Sequence, residues 1–210
     1  MTDYLSEADV STEEKILRAA EIEFMNKGFD GARTTAIAEA AGVTHAMFHY
    51  YFRTKKNLFE RIVTEKIKAV QQLIMTALGH NDKPLFERLT TAISEHLDFL
   101  AANPNLPRFM ITEMYTDKER MDILLSKFKS FAENIVNELQ TEINLRADEG
   151  ICKRVDARML ILDMLSLNMF SFIAAPITSL LTGDMSDDLR TFVELRKKEN
   201  IDTIIRRLAP

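Results

Sequence analysis

The sequence predicts an all-α protein of about nine helices, divided into a small N-terminal domain and a larger C-terminal one. Apolar residues recur at helical spacing, and no segment shows the two-residue alternation typical of strands. Five of the six glycines follow such helical segments, where glycine commonly ends a helix. With 210 residues, 46% of them hydrophobic, the chain can bury a sizeable core. We expect residues 10–70 and 71–210 to form the two domains.

The N-terminal third carries clear helix-start signals. Ser11 and Glu14 have the spacing of a capping box and predict that the first helix begins after Ser11. Thr54 is the predicted cap of a long fourth helix. The first helix is expected to begin after Ser11. The next three helices are expected to span about 35–41, 45–52 and 55–78.

The remaining helices follow the same logic. Thr116 and Glu119 form a second capping-box pattern, which predicts a long helix ending near Glu149. The last helix is expected to start after Ser186, with Asp187 and Asp188 at its positive end. The other C-terminal helices are expected near 84–102, 106–115 and 156–175, with a short helical tail near 177–182.

Composition narrows the class of protein. Cys152 is the only cysteine, so no internal disulfide can form, which fits a reducing cytoplasm. The acidic N-terminus has no apolar run typical of a signal peptide. Asp163, Asn168 and Pro176 interrupt the apolar stretch 159–181, which therefore predicts a buried helix and not a membrane span. We expect a cytoplasmic protein that binds no membrane.

A basic island lies on an otherwise acidic chain. Residues 33–68 contain seven Lys or Arg and three Glu, a net charge of +4. Because the whole chain has a net charge of −5, the remaining residues carry −9. Such an island is typical of a surface that docks onto phosphates. Arg33 opens this stretch, and we expect it to contact nucleic acid.

Residues 34–53 predict a helix-turn-helix. Ile37 and Ala38 belong to the first helix, Gly42 supplies the turn, and Phe48 packs the second helix back onto the first. Thr34 is the predicted cap of the first helix. The outward side of the second helix then carries Thr44, His45, Met47, His49 and Tyr50. A helix of this kind fits the major groove of double-stranded DNA.

Lysines at the start of the fourth helix support this interpretation. Lys55 and Lys56 oppose the positive end of the helix dipole. A DNA phosphate bound to the backbone N–H groups and to Lys55 would explain them.

The segment 11–62 resembles the TetR family of transcription regulators. The resemblance is carried by Gly28-Phe29, Thr34, Ile37-Ala38, Ala41-Gly42-Val43, Phe48, Tyr51-Phe52, Lys55 and Leu58. It implies a homodimer, usually a repressor, that a small ligand releases from a palindromic operator. It also implies phosphate contacts from Thr34 and Lys55. Base or backbone contacts are implied for Thr35, Thr44, His45, Ala46 and Tyr50.

Two positions depart from the family pattern, and other interpretations remain open. The family commonly has Gly at Ala46 and Tyr at His49, so His49 or Tyr50 would replace the usual tyrosine–phosphate contact. His45 and His49 could instead be half of a metal site with Glu39. A helical partner-binding protein without a DNA role is the alternative function. No phosphate-binding glycine loop, nucleophile motif or metal-ligand cluster indicates an enzyme, and no cofactor or metal is expected.

The C-terminal half is expected to bind a small apolar or amphipathic ligand and a second copy of the chain. Aromatic, methionine and isolated polar residues are candidates for a pocket, although most could simply fill the core. The ligand candidates are Phe99, Phe109, Met110, Glu113, Met114, Phe131, Met164, Asn168 and Phe172. Small residues and an apolar stripe on the last helices predict a four-helix dimer interface. Its candidates are Ser171, Ala174, Ala175, Phe192, Ile201, Ile204 and Ile205.

Overall fold

The computed structural model describes residues 11–79, 83–182 and 188–210. These residues form ten α-helices and no strand. The all-α prediction is therefore confirmed. The helices are α1 (Thr12–Gly31), α2 (Thr34–Ala40), α3 (His45–Phe52), α4 (Lys55–Gly79), α5 (Leu85–Ala102), α6 (Leu106–Thr116), α7 (Lys118–Asp148), α8 (Ala157–Ile173), α9 (Ala175–Thr182) and α10 (Leu189–Leu208).

Two predicted caps are present and two are wrong. Ser11 and Glu14 form the capping box of α1, and Thr54 Oγ1 accepts from the Asn57 amide at 3.1 Å at the start of α4. Thr34 does not cap α2, whose N-cap is Arg33, because the Thr34 hydroxyl lies beside His45. Thr116 does not cap α7, because it is the last residue of α6 and Asp117 caps α7 instead.

The end of the apolar stretch bends at Ala174. Pro176 cannot continue a helix, because it lacks an N–H and its ring crowds the preceding turn. The short tail predicted after α8 is thus a separate helix, at 86° to α8. Within the described ranges, no single helix is long and apolar enough to cross a membrane, and only this bent pair reaches that composition. Ser186 lies outside the described residues, and Asp188 caps α10.

Two hydrophobic cores hold the molecule together. The first joins α1–α4 and includes Phe24, Phe48 and Phe59. Helices α6 and α7 complete this core with Leu106, Phe109 and Leu124. The second core lies among the distal end of α4 and helices α5, α7, α8 and α10. Helix α4 reaches both cores, and its 25 residues span about 37 Å.

Candidate functional site

A tight turn at Gly42 sets the angle between α2 and α3. Gly42 has a φ of 66°, which favours glycine, and the Val43 amide donates to the Ala38 carbonyl at 3.0 Å. Ile37 on α2 and Phe48 on α3 are fully buried. These contacts form the predicted helix-turn-helix and leave one side of α3 facing solvent.

The exposed side of α3 carries the residues expected from the sequence. Thr44 caps α3 by accepting from the Met47 amide at 3.2 Å. Tyr50 is 81% exposed and Met47 is 39% exposed. The predicted DNA-contacting residues that are exposed are Arg33, Thr35, Thr44, His45, Ala46, Met47, His49 and Tyr50, and Thr34 is half-buried. This part of the molecule therefore offers a free surface of polar and aromatic side chains.

Hydrogen bonds orient both histidines of α3. His45 Nε2 lies 3.1 Å from the Thr34 hydroxyl, which links α3 to α2. His49 Nδ1 lies 2.9 Å from the Arg53 carbonyl. The two imidazole rings meet edge to face, with centroids 4.4 Å apart. In the part of the chain that the structure describes, no third His, Cys, Asp or Glu joins them as a metal ligand.

Lys55 serves the protein in a way that the sequence did not predict. Its ammonium donates to the carbonyls of Phe29 at 2.8 Å and Ala32 at 3.0 Å, and lies 4.6 Å from the Phe29 ring centroid. Carbonyls at the end of a helix lack intrahelical partners, and a cation there stabilises them. Lys55 thus holds the end of α1 in place, and its donors are already engaged.

Other cations of the basic island are also paired. Lys56 binds Glu119 at 2.5 Å, and Lys66 binds Glu21 at 2.6 Å. Arg33 and Arg53 are exposed and have no ion-pair partner among the described residues. Arg53 was not among the predicted site residues. Its place in the basic island was the signal that could have identified it.

Glu113 is buried between the turn after α1 and helices α6 and α7, and it does not line the cleft described below. It is 3% exposed, and its Oε1 accepts from the Phe29 amide at 2.9 Å. Its Oε2 lies 2.8 Å from Arg120 Nε. The two groups form an ion pair, but their geometry is not that of an aligned hydrogen bond. Arg120 also binds Asp30 and covers the Phe29 ring. The turn after α1 is therefore tied to both α6 and α7.

The other predicted ligand residues mostly fill the two cores. Phe109 is buried in the first core, and Phe172 in the second. Met110 and Met114 pack against the first core, and Phe131 and Met164 pack against the second. Phe99 packs against both cores. None of them lines the cleft described below, and Phe172 lines a smaller cleft between α6, α8 and α9. The interpretation of these side chains as core is the one that the packing favours.

Asn168 belongs to a buried polar seam that joins α5, α8 and α10. Its Nδ2 donates to the Ile93 carbonyl at 3.1 Å and lies 3.2 Å from His96 Nδ1. Its Oδ1 accepts from Asn200 at 2.9 Å. Both of its polar atoms have protein partners, so it does not require a ligand partner. Burial lowers the pKa of His96 from 6.5 to about 4.

A cleft of about 760 Å³ opens at the end of the molecule away from α3. Its apolar wall includes Met75 and Leu139, and its polar wall includes Arg88, Glu142 and Arg146. The Arg88 guanidinium is buried, donates to Glu142 at 2.6 Å and also donates to the Leu78 carbonyl. Its Nε has no partner. The cleft thus combines an apolar surface with charged groups that pair with Glu142.

The outward side of α8 is apolar. Leu162 is 54% exposed and Phe170 is 55% exposed, with Leu165 between them. The prediction that Phe192 and Ile204 lie on a dimer interface is wrong, because both are buried in the core of their own chain. Ile201 and Ile205 also pack partly against that core, while Ser171, Ala174 and Ala175 surround the α8–α9 bend.

The helix-turn-helix also identifies relatives of this chain. The family described as bacterial regulatory proteins, tetR family, matches residues 16–62, which include α2, α3 and the start of α4. Residues 16–62 are therefore a TetR-family segment. The resemblance inferred from Gly28 to Leu58 is confirmed.

Curated relatives of this chain include transcriptional regulators and a nucleoid occlusion factor. It is 31% identical over 134 residues to the probable HTH-type transcriptional regulator YttP of Bacillus subtilis, covering 61% of this chain and 65% of that protein. The match to a second B. subtilis regulator, YdgC, covers 52% of that protein, so the chain spans less than two thirds of either. It is 24% identical over 186 residues to the nucleoid occlusion factor SlmA of Haemophilus influenzae, covering 88% of this chain and 78% of SlmA.

Solved structures share the fold over nearly the full length. The transcriptional regulator FadR from Bacillus subtilis, solved in complex with stearoyl-CoA, superposes with a TM-score of 0.70 at 19% identity. That match covers 93% of this chain and 98% of FadR. The ten-helix arrangement is therefore a TetR-type fold.

Proposed function

We propose that the protein is a cytoplasmic transcriptional repressor that binds a palindromic operator as a homodimer and leaves it when a small amphipathic ligand binds. The observation that carries the proposal is the solvent-facing side of α3, where His45, Met47, His49 and Tyr50 are exposed on a helix fixed by buried Phe48. A helix presented in this way can enter the major groove and contact base edges.

Backbone phosphates are expected to meet the cations that remain free. Arg33 lies at the start of α2 and Arg53 directly after α3, and both are exposed. Phosphate contacts fix the register of a protein on DNA, whereas base contacts give sequence preference. We infer that Arg33 and Arg53 supply contacts that the sequence assigned to Lys55, with Thr34, Thr35, Thr44 and Ala46 beside them.

The dimer is expected to form through α8 and α10. The apolar side of α8 is too exposed to suit a monomer, and the same face on a second copy would cover it. Two helices from each chain would make a four-helix bundle. Such a dimer would present two α3 helices to half-sites about 34–36 Å apart, one turn of DNA.

The cleft between α4, α5 and α7 is the candidate ligand site. Its apolar wall suits a hydrocarbon chain, and Arg88 and Arg146 on its polar wall are the cations that an anionic group would meet. FadR, which shares the fold, was solved with stearoyl-CoA. We infer an amphipathic ligand with an acidic head, such as a long-chain acyl-CoA, whose phosphates carry the negative charge.

Two structural links connect the cleft to α3. Helix α4 reaches the cleft with Met75 and Leu78 and begins directly beyond α3. Helix α7 lines the cleft with Leu139, and its Arg120 binds Asp30 in the turn after α1. A ligand that shifts α4 or α7 would change the spacing of the two α3 helices and so lower operator affinity.

The DNA role is tested by selecting operators from random DNA and then titrating variants in gel shifts. His45→Ala, His49→Ala and Tyr50→Ala are expected to weaken binding without unfolding the protein. Leu125→Ala on α7, an exposed apolar residue, is the matched control. Unchanged affinity in all three variants would remove the assignment of α3, and absence of DNA and heparin binding would favour a partner-binding protein.

The ligand role is tested by thermal shift with stearoyl-CoA as the probe. A ligand at 100 times its Kd stabilises the folded state by about 2.7 kcal/mol. The variant Met75→Trp should obstruct the apolar wall of the cleft and reduce the shift. A wild-type melting temperature unchanged by stearoyl-CoA would contradict this assignment, as would an equal shift in the variant.

A further inference from the structure

The tautomer of His49 is fixed by the backbone. Its Nδ1 lies 2.9 Å from the Arg53 carbonyl, and a carbonyl oxygen can only accept. Nδ1 therefore carries a hydrogen in both protonation states. The second nitrogen, Nε2, changes from an acceptor in the neutral ring to a donor in the imidazolium. His49 is exposed on α3, so this change of sign occurs on the surface that faces solvent.

Arg53 gives that hydrogen bond a structural cause. Arg53 has a φ of 59°, in the left-handed region that non-glycine residues rarely adopt. Its amide donates to the His49 carbonyl at 3.1 Å, and its own carbonyl accepts from His49 Nδ1. His49 and Arg53 thus stabilise each other at the end of α3, and the imidazole is held in one orientation.

His45 lies against His49 on the same side of α3. Its Nε2 is 3.1 Å from the Thr34 hydroxyl, a group that can donate or accept. This contact is therefore compatible with neutral and protonated His45. The ring centroids of His45 and His49 are 4.4 Å apart, close enough for two positive charges to repel.

We propose that His45 and His49 form a proton-linked DNA-reading pair, an inference that rests on the proposed function of α3. As imidazolium, His49 Nε2 donates to an acceptor of the duplex, either a phosphate oxygen or guanine O6 or N7. As neutral imidazole, it accepts from the exocyclic amine of adenine or cytosine. The protonation state of the pair thereby sets which DNA groups it contacts.

The surrounding charges determine the direction of the effect. The helices packed against α3 and the residue that ends it contribute Arg33, Glu39, Arg53, Lys55 and Lys56. DNA phosphates place negative charge beside both rings, and negative charge favours imidazolium. Binding therefore takes up protons, and affinity falls as pH rises.

The test is fluorescence anisotropy of the full-length protein with a selected operator between pH 6 and pH 8. For each proton taken up, affinity is expected to fall by up to about tenfold per pH unit. The variants His45→Gln and His49→Gln should each reduce this dependence, and the double variant should remove it. Met47→Ala on the same face is the matched control, which should lower affinity without changing the dependence on pH.

Modified operators distinguish the two acceptors. A methylphosphonate at the contacted phosphate should abolish the pH dependence if the imidazolium binds the backbone, and 7-deazaguanine should do so if it binds guanine. An affinity that does not change with pH, or a double variant with the wild-type dependence, would overturn the inference while leaving DNA binding intact. Failure to bind any DNA at any pH would instead overturn the proposed function.

Discussion

Gly28 shows how a single residue lets the end of α1 bind α6. Its φ of 69° and ψ of 175° lie in a region that is essentially restricted to glycine. This conformation interrupts α1 and turns the Phe29 amide toward Glu113. A Cβ at Gly28 would also lie 3.2 Å from Glu113 Oε1. Both backbone conformation and space therefore demand glycine here.

The variant Gly28→Ala is expected to lower the free energy of unfolding by about 1–3 kcal/mol, because alanine is strained in this conformation. Gly79→Ala is the matched control, since no atom lies within 4 Å of its added Cβ. That control should be neutral or slightly stabilising, as it restricts the unfolded chain. Urea denaturation measures both, and equal values for the two variants would contradict the role of Gly28.

Glu113→Ala is expected to destabilise the protein by about 3 kcal/mol, because it leaves the largely buried Arg120 without its main partner. Glu113→Gln should cost less, since it keeps an acceptor for the Phe29 amide. Glu119→Gln is the control, because its ion pair with Lys56 is exposed and worth about 0–1 kcal/mol. An equal loss of unfolding free energy in Glu119→Gln and Glu113→Ala would contradict the importance of the buried ion pair between Glu113 and Arg120.

At the scale of elements, the seam between α5, α8 and α10 is held by polar groups as well as by apolar packing. Asn168 Nδ2 already donates to the Ile93 carbonyl and faces His96 Nδ1, so that nitrogen must accept. Protonation of His96 would place two donors against each other. The hydrogen bonds therefore favour the same neutral state as burial, which lowers the pKa of His96 to about 4.

This seam predicts a loss of stability in mild acid. Between pH 6.5 and pH 4, His96 is protonated in the unfolded chain but neutral in the folded protein. The free energy of unfolding therefore falls as pH falls. The expected loss from pH 6.5 to pH 5 is about 2 kcal/mol. Denaturation curves at both pH values check it, with His96→Gln as the variant in which the loss should shrink. An undiminished loss in that variant would exclude His96 as its source.

At the scale of the whole molecule, the proposed dimer depends on the exposed side of α8. Leu162, Leu165 and Phe170 lie along one helix and remain exposed in the single chain. Covering this face with a second copy would bury apolar area at about 25 cal/mol per Å². The same contact would fix the distance between the two α3 helices and so couple assembly to DNA recognition.

Leu162→Glu is therefore expected to convert the dimer into a monomer and to weaken operator binding, because each half-site would then be bound alone. Leu125→Glu provides the control, as it changes an equally exposed leucine on α7. Sedimentation equilibrium at micromolar concentration measures the outcome. A dimer that survives Leu162→Glu, or is lost with Leu125→Glu, would place the interface elsewhere.

Local chemistry explains what the sequence alone determined. Helix periods, the Ser11 capping box and the Gly42 turn depend on residues a few positions apart, so they specify the helices and the helix-turn-helix without knowledge of the fold. The spacing from Gly28 to Leu58 likewise indicated the resemblance to the TetR family. The side of α3 that faces solvent follows from the same short-range pattern.

Only the tertiary structure decided which polar groups find partners. Glu113 and Phe29 are 84 residues apart, and Asn168 and His96 are 72 apart, so no local pattern reveals that each is already paired. Lys55 turned inward to the carbonyls of α1, and Phe192 and Ile204 joined the core. The physical reason is that burial and hydrogen bonding depend on what the completed packing brings together, whereas helix formation depends on neighbours along the chain.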